Sequence, residues 1–199
     1  MRIATLATLG LFMTTILLAR QAPQTADVPS PFGLKMGMPK AQIGIEKEVA
    51  PFKFQLASVS KAHPDLATYV ATVTPKAGLC FVRALSPTLK TSEDGAQLRS
   101  RFEEMKSQVE GIYGTPHLED SLQSGSILDK ARDWMMALLQ KERTLQARWS
   151  GPDDNLPMKP TISKIYVGVF AVTKDSGYLA VEYYFSNYDQ CQSEIQASQ

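Results

Sequence analysis

The amino-acid sequence predicts one α+β domain, with a mainly antiparallel sheet of five to six strands and two helices packed on one of its faces. Three observations predict this class. Several segments alternate polar and apolar residues with the period of a strand, two others space their apolar residues as a helix does, and the strands and helices come in blocks instead of alternating. The connections between strands are too short for parallel crossovers, which favours antiparallel pairing.

The composition is typical of a globular protein. Of the 199 residues, 44% are hydrophobic and 21% are charged, which is enough apolar side chain for a substantial core. The 21 lysines and arginines are balanced by 20 aspartates and glutamates, so the net charge is only +1. Such a chain has no strong positive field, and we therefore exclude nucleic acid as a partner.

The N-terminal residues have the order of a secretory signal peptide. Arg2 is followed by an uncharged, largely apolar run from Ile3 to Ala19 and then by a polar stretch that contains proline. A retained membrane anchor is the alternative. The run is shorter than the roughly 20 apolar residues that span a bilayer, which favours the signal peptide over the anchor. We predict a signal peptide at residues 1–19, a linker at 20–31, one α+β domain at 32–190 and a polar C-terminal tail at 191–199.

The two cysteines of the chain, Cys80 and Cys191, both lie in the predicted mature protein. An even number of cysteines in an exported protein favours a disulfide, because the compartment is oxidising. Two separate buried thiols are the alternative. A bridge would tie the predicted tail to the third predicted strand.

Strands are predicted in the first half of the domain at residues 52–57, 66–74 and 79–86, after a short helix that starts at Pro39. The clearest helix follows. Leu98, Phe102, Met105, Val109 and Ile112 recur at helical intervals, which places them on one face. A capping residue at position 91 or 92 is expected to stabilise its start by about 1 kcal/mol, and a glycine and a proline after residue 113 end it.

The helical spacing of apolar residues predicts a second helix from Ser126, a capping residue, to about Leu139. Residues 144–149 then alternate polar and apolar side chains, so we expect a fourth strand there, with a continuous helix as the alternative. A loop at 151–160 leads into a hairpin over residues 162–188, whose turn is formed by Lys174 to Gly177.

The hairpin is rich in aromatic residues, and they fall on both of its faces. Tyr166, Tyr178 and Tyr184 are our candidate binding residues, because an exposed aromatic patch is typical of a partner surface. Burial of this patch beneath the N-terminal segment is the alternative. Arg83, in the third strand, is a further candidate for binding an anion, although an arginine at an edge or facing solvent also explains it.

Four segments together carry a resemblance: residues 32–43, 78–87, 95–116 and 178–191. They resemble a family of small exported bacterial proteins that is uncharacterised. The glycine and methionine segment before a helix, with a later Tyr-Gly-x-Pro, is also distantly similar to the small outer-membrane assembly lipoproteins of the BamE and OmlA kind. That likeness departs from the pattern in lacking a lipidated cysteine, and no residue roles are transferred from it.

The sequence contains no catalytic motif. The spacing of the glycines matches neither a phosphate-binding loop nor a dinucleotide fingerprint, so no cofactor is predicted. His117 with Glu119 and Asp120 nearby has the chemistry of a metal or acid-base site, but both histidines of the chain are more simply solvated loop residues beside a proline, and no metal is predicted. The only other histidine is His63.

These observations favour an exported, non-enzymatic protein, periplasmic or secreted, that binds another protein or an envelope component. A membrane is a partner only if the leader is retained. The alternative is a hydrolase or metal-dependent enzyme centred on His117.

Overall fold

A computed structural model of the protein describes residues 30–150 and 161–198. The predicted signal peptide, most of the linker and the predicted loop at 151–160 lie outside the described residues. The α+β class and the antiparallel sheet are confirmed. The predicted number of elements is wrong, because the described chain contains nine strands and three α-helices instead of five to six strands and two helices.

Along the described chain, the elements follow one another as five strands and a helix, then one strand and a helix, then three strands and a helix. The first block is β1 (Ile45–Ala50), β2 (Lys53–Leu56), β3 (Thr68–Thr74), β4 (Gly78–Leu85) and β5 (Leu89–Lys90), followed by α1 (Ala96–Tyr113). The rest is β6 (His117–Leu122), α2 (Trp134–Leu139), β7 (Arg143–Ser150), β8 (Ile162–Thr173), β9 (Ser176–Phe185) and α3 (Tyr188–Ala197).

All strands belong to one sheet with the order β1-β2-β3-β4-β9-β8-β7-β6, and the short β5 pairs with β9 outside this path. Every described pairing is antiparallel. The central strands β4, β9 and β8 correspond to the segments in which the sequence shows the strongest apolar pattern.

One side of the sheet, which we call the helix face, packs against α1 and α2. Leu98, Phe102, Met105 and Val109 are buried there as predicted. Ile112 is 51% exposed, and Tyr113 is buried in its place. The helix ends at Gly114, whose φ of 81° is a conformation that glycine adopts without strain.

The start of α1 lies later than predicted, at Ala96, with Gly95 at the N-cap position and no side-chain cap. The residues before it are held by other elements: the N–H of Thr91 donates to Asp175 O at 2.9 Å, and Glu93 O accepts from the N–H of Met135 at 3.0 Å. Because these contacts fix the backbone to the hairpin and to α2, it cannot begin a helix at residues 91 and 92.

The second predicted helix is mostly wrong. Only Trp134–Leu139 is α-helical, after a single 3₁₀ turn at Ala131–Asp133. The Ser126 hydroxyl accepts a hydrogen bond from the backbone N–H of Leu128. The same hydroxyl donates to Glu142 at 2.5 Å, and this contact holds the segment as a loop beside β7. Ile127, an apolar residue near the start of the predicted helix, is 87% exposed.

The N-terminal described residues pack on the helix face. Pro31–Gly33 and Lys40–Gln42 are single 3₁₀ turns, and Pro39 precedes the second turn instead of being its first residue. The ring of Phe32 contacts Tyr69 and Tyr183 with centroid distances of 4.9 and 5.6 Å. The described N-terminal residues therefore do not cover the aromatic residues on the other side of the hairpin.

The C-terminal residues, predicted as a polar tail, form α3. Cys80 and Cys191 form a disulfide that joins β4 to this helix, which excludes two separate thiols. The Glu194 carboxylate accepts from the N–H groups of Lys76 and Ala77 at 3.0 and 2.8 Å. The helix is therefore also hydrogen-bonded to the turn between β3 and β4. No helix among the described residues is long and apolar enough to cross a membrane.

Candidate functional site

In the described part of the chain, the side of the sheet opposite α1 and α2 is covered only at one corner, by α3, and we call it the open face. Residues that pair across neighbouring antiparallel strands point to the same side of a sheet. The register therefore defines one lateral row on the open face, formed in order by His117, Arg148, Tyr166, Glu182 and Arg83. Four of these five side chains are partly or largely exposed.

All four candidate binding residues from the sequence lie on the open face. Tyr166 and Arg83 are in this row, and Tyr178 and Tyr184 lie at even spacing from Glu182 along β9. Tyr183, which lies between them in sequence, points to the helix face and is buried. The alternation of the hairpin thus separates its aromatic residues into a core set and a surface set.

Arg83 has a partner within the protein. It lies in the interior strand β4, so the edge interpretation is wrong, while its side chain is 47% exposed, as the solvent-facing interpretation predicted. Its guanidinium forms an ion pair with Glu182, in which Nε donates to Oε1 at 2.7 Å. The Tyr184 hydroxyl donates to the other carboxylate oxygen at 2.9 Å, which satisfies the nearly buried Glu182 on both sides.

Burial raises the pKa of Tyr184 above its usual range, and the negative charge of Glu182 beside it acts in the same direction. The Tyr184 hydroxyl therefore remains protonated at neutral pH and acts as a donor. The Arg83, Glu182 and Tyr184 side chains form a fixed polar support below the aromatic surface.

Two aromatic pairs stand on the open face with a gap between them. Tyr166 and Tyr184 meet edge to face with a centroid distance of 5.7 Å, and Phe170 stacks on Tyr178 at 5.3 Å with an interplanar angle of 18°. The floor of the gap is formed by Gly168 and Ala180, which pair across β8 and β9. We call this groove, of about 170 Å³, the aromatic cleft.

The aromatic cleft continues into a cluster at α3. Tyr184 contacts Tyr188 of α3 and Phe81 of β4 with centroid distances of 4.8 and 4.7 Å. The disulfide lies beneath this cluster, among the buried residues Ala77, Cys80 and Cys191. The position of α3 therefore supports one wall of the cleft.

The structure does not assemble His117 and its neighbouring carboxylates into one site. His117 is exposed in the edge strand β6, so the loop interpretation is wrong, and Glu119 on the same face accepts from Gln146 at 2.7 Å. Asp120 points to the opposite face, because residues alternate along a strand, and it is paired with Arg143 there.

The second histidine lies elsewhere. His63 shares a hydrogen bond with Gln108 of α1 at 2.6 Å, on the helix side of the sheet. Among the described residues, no three histidine, cysteine, aspartate or glutamate side chains come together as a group that could hold a metal ion.

Sequence reasoning missed the three residues that shape the cleft: Gly168, Ala180 and Glu182. A signal for the first two was present, because each small residue lies two positions from an aromatic residue in a strand-forming run. A small residue within such a run often marks close approach of another group to the backbone. Glu182 gave no such signal, because its burial depends on the neighbouring strand β4.

Comparison of the chain with protein-family models, with curated proteins and with solved structures finds no significant match. The resemblance to small exported bacterial proteins therefore stays a prediction. The site is defined by its geometry alone, as an aromatic groove on an open sheet face.

Proposed function

We propose that the protein is a non-enzymatic binding protein of the periplasm or the extracellular space, and that it captures a protein partner through the aromatic cleft. The observation that carries this proposal is the pair of aromatic walls around the floor of Gly168 and Ala180. The disulfide supports the location, because such bonds persist in oxidising compartments.

The size of the aromatic cleft favours a protein partner over an enclosed small molecule. Pockets for small ligands measure roughly 300–1,000 Å³, whereas the cleft measures about 170 Å³ and is open along the sheet. A groove of this size accommodates an apolar side chain of a partner. Tyrosine is enriched among the residues that contribute most of the binding energy in protein interfaces.

Filling the cleft tests the proposal. A Cβ atom at Gly168 would lie 3.7 Å from Gln146 and 3.8 Å from Phe170, which is ordinary contact, so a Cβ atom fits there without displacing a neighbour. Gly168→Leu is expected to occupy the groove and to weaken partner binding by at least about thirtyfold, the effect of losing one hot spot. The measurement is affinity capture from an envelope extract, followed by titration of the captured protein.

The matched control is Gly111→Leu. Gly111 lies on the exposed side of α1, and a Cβ atom there meets nothing within 4 Å. This variant gains the same side chain on the other side of the molecule and should bind like the parent protein. Equal capture of the same partner by the Gly168→Leu and Gly111→Leu proteins would reject the aromatic cleft as the binding site.

A further inference from the structure

The sheet forks beside the aromatic cleft. In the described chain, strands β7 and β8 pair from Gln146↔Gly168 to Ser150↔Lys164. Beyond this point β7 continues to Arg143 along β6, while β8 continues to Thr173 along β9. We call the space between the two diverging ends, residues 143–145 and 169–173, the notch.

The notch leaves one edge of β8 without a neighbouring strand. In the described chain no segment pairs with β8 on this side over residues 169–173, although β9 pairs with it on the other. An unpaired strand edge presents N–H and C=O groups that can form a ladder with another chain. The segment is about 17 Å long at the usual rise of about 3.4 Å per residue, which is enough for a short added strand.

A cavity of about 400 Å³ occupies the notch. Its apolar lining comes from α2 and from the diverging part of β8, including Leu138, Leu139 and Val169. Phe170 and Val172 are 42% and 49% exposed along the same strand. The notch therefore offers apolar contacts to the side chains of an extended chain as well as free backbone groups.

The charged side chains at the notch are basic. Lys141 and Arg143 are the charged residues among those that line it. The Arg143 guanidinium is bound to Asp120, whereas the exposed Lys141 is available at the rim. A partner segment with a carboxylate complements this charge, and an electropositive rim disfavours a lysine or arginine at the same place.

We propose that the partner binds by strand addition: an extended, acid-bearing segment pairs with the free edge of β8 at residues 169–173 and places its carboxylate beside Lys141. This inference rests on the proposed function, because the notch and the aromatic cleft share Gln146, Gly168 and Phe170. The ladder supplies affinity, and the side-chain contacts and the charge supply specificity.

The test uses the full chain and a defined probe. The probe is a short synthetic peptide that alternates valine and threonine and carries one central glutamate; two further versions carry a central lysine or a proline within the strand. Hydrogen exchange of the β8 amides is followed by NMR as peptide is added. The glutamate peptide should slow exchange at the notch-facing amides of residues 169–173 by at least about tenfold near saturation. The proline peptide should not, because it lacks a donor.

Charge reversal provides the second measurement. Lys141→Glu should lower the affinity for the glutamate peptide and raise the affinity for the lysine peptide. Each change should be about two- to fivefold, as expected for an exposed ion pair. The matched control is Lys53→Glu in β2, at the far side of the sheet, which should change neither affinity.

Unchanged exchange at residues 169–173 with saturating glutamate peptide would overturn strand addition. Shifts confined to the tyrosine rings of the aromatic cleft would overturn it as well, while leaving the proposed function intact. Failure of the proposed function is recognised separately, by full partner capture in the Gly168→Leu protein.

Discussion

The helix face and the open face are built from alternate residues of the same strands, but they are stabilised differently. The helix face is apolar and buries large side chains such as Phe102, Trp149 and Phe185 against α1 and α2. The open face has only a small buried cluster at its corner, where a disulfide holds α3. Next to this cluster, the open face carries the ion pair of Arg83 with Glu182 and two aromatic pairs.

This difference shows which face carries stability and which is available for binding. Burial of apolar area stabilises by about 25 cal/mol per Å², so the helix face supplies most of the free energy of folding. The open face is ordered without being buried, because Arg83 pairs with Glu182 and Tyr166 packs against Tyr184 across neighbouring strands. A rigid aromatic surface of this kind binds without a large ordering cost.

The sharpest test of the comparison is a matched pair of phenylalanine truncations. Phe102→Ala removes a fully buried ring from the helix face and is expected to lower the free energy of unfolding by about 3–5 kcal/mol. Phe170→Ala removes a partly exposed ring from the open face and should cost about 1 kcal/mol or less, mainly its stacking on Tyr178. Urea denaturation of both variants measures the difference.

Ile112→Ala serves as the control for truncation within the same helix. Its side chain is exposed, so the change in stability should lie within about 0.5 kcal/mol. If Phe102→Ala and Phe170→Ala lowered the free energy of unfolding by similar amounts, the two faces would contribute equally to stability. That result would contradict the difference between the helix face and the open face.

The disulfide is expected to have the next largest effect. Cys80 and Cys191 are 111 residues apart in sequence, and joining them restricts the unfolded chain. Replacing both by alanine should therefore lower the free energy of unfolding by about 2–4 kcal/mol. Hydrogen exchange should rise first in α3 and in the turn between β3 and β4, while the amides of α1 stay protected. Equal loss of protection in α1 and α3 would argue against a separately anchored corner.

A separate effect, confined to alkaline pH, is expected on the helix face. Burial raises the pKa of Tyr113 to about 12, and it also raises the pKa of the neighbouring Tyr183. In the unfolded chain a tyrosine ionises near pH 10. Below about pH 10 both states keep the proton; between about 10 and 12 the unfolded state releases it, so the free energy of unfolding falls as the pH rises.

Replacing Tyr113 and Tyr183 by phenylalanine should make the free energy of unfolding decrease less steeply with pH. The slope should change by at most about 1.4 kcal/mol per pH unit for each ring. Urea midpoints measured from about pH 8 to about pH 11.5 provide the slope. Parent and double variant should show the same dependence below about pH 10. An unchanged slope above that value would mean that other groups cause the alkaline destabilisation.

The outcome of the strand predictions follows the position of each strand in the sheet. The interior strands β2, β3, β4, β7, β8 and β9 were all predicted, because burial gives them an apolar pattern that is visible in the sequence. The strands β1, β5 and β6 were missed: β1 and β6 are the two edges of the sheet path, and β5 is a two-residue strand that pairs with β9 outside it. An edge strand is held by backbone hydrogen bonds to a single neighbour, so its side chains carry little pattern.

The candidate site shows the same division. The tyrosines and Arg83 were found because aromatic and charged residues are conspicuous in a strand. The pairing of Arg83 with Glu182, and the position of Asp120 on the face opposite His117, depend on which strand lies beside which. No spacing along the chain contains that information.

By itself, the sequence determined the α+β class, the interior strands, the principal helix, the aromatic hairpin and the presence of two cysteines able to pair. These features depend on local periodicity and composition. The tertiary structure alone decided the edges of the sheet, the helix at the C-terminus, the aromatic cleft and the notch. Each of these depends on contacts between residues far apart in the chain, and such contacts follow from strand order and register, which local pattern does not encode.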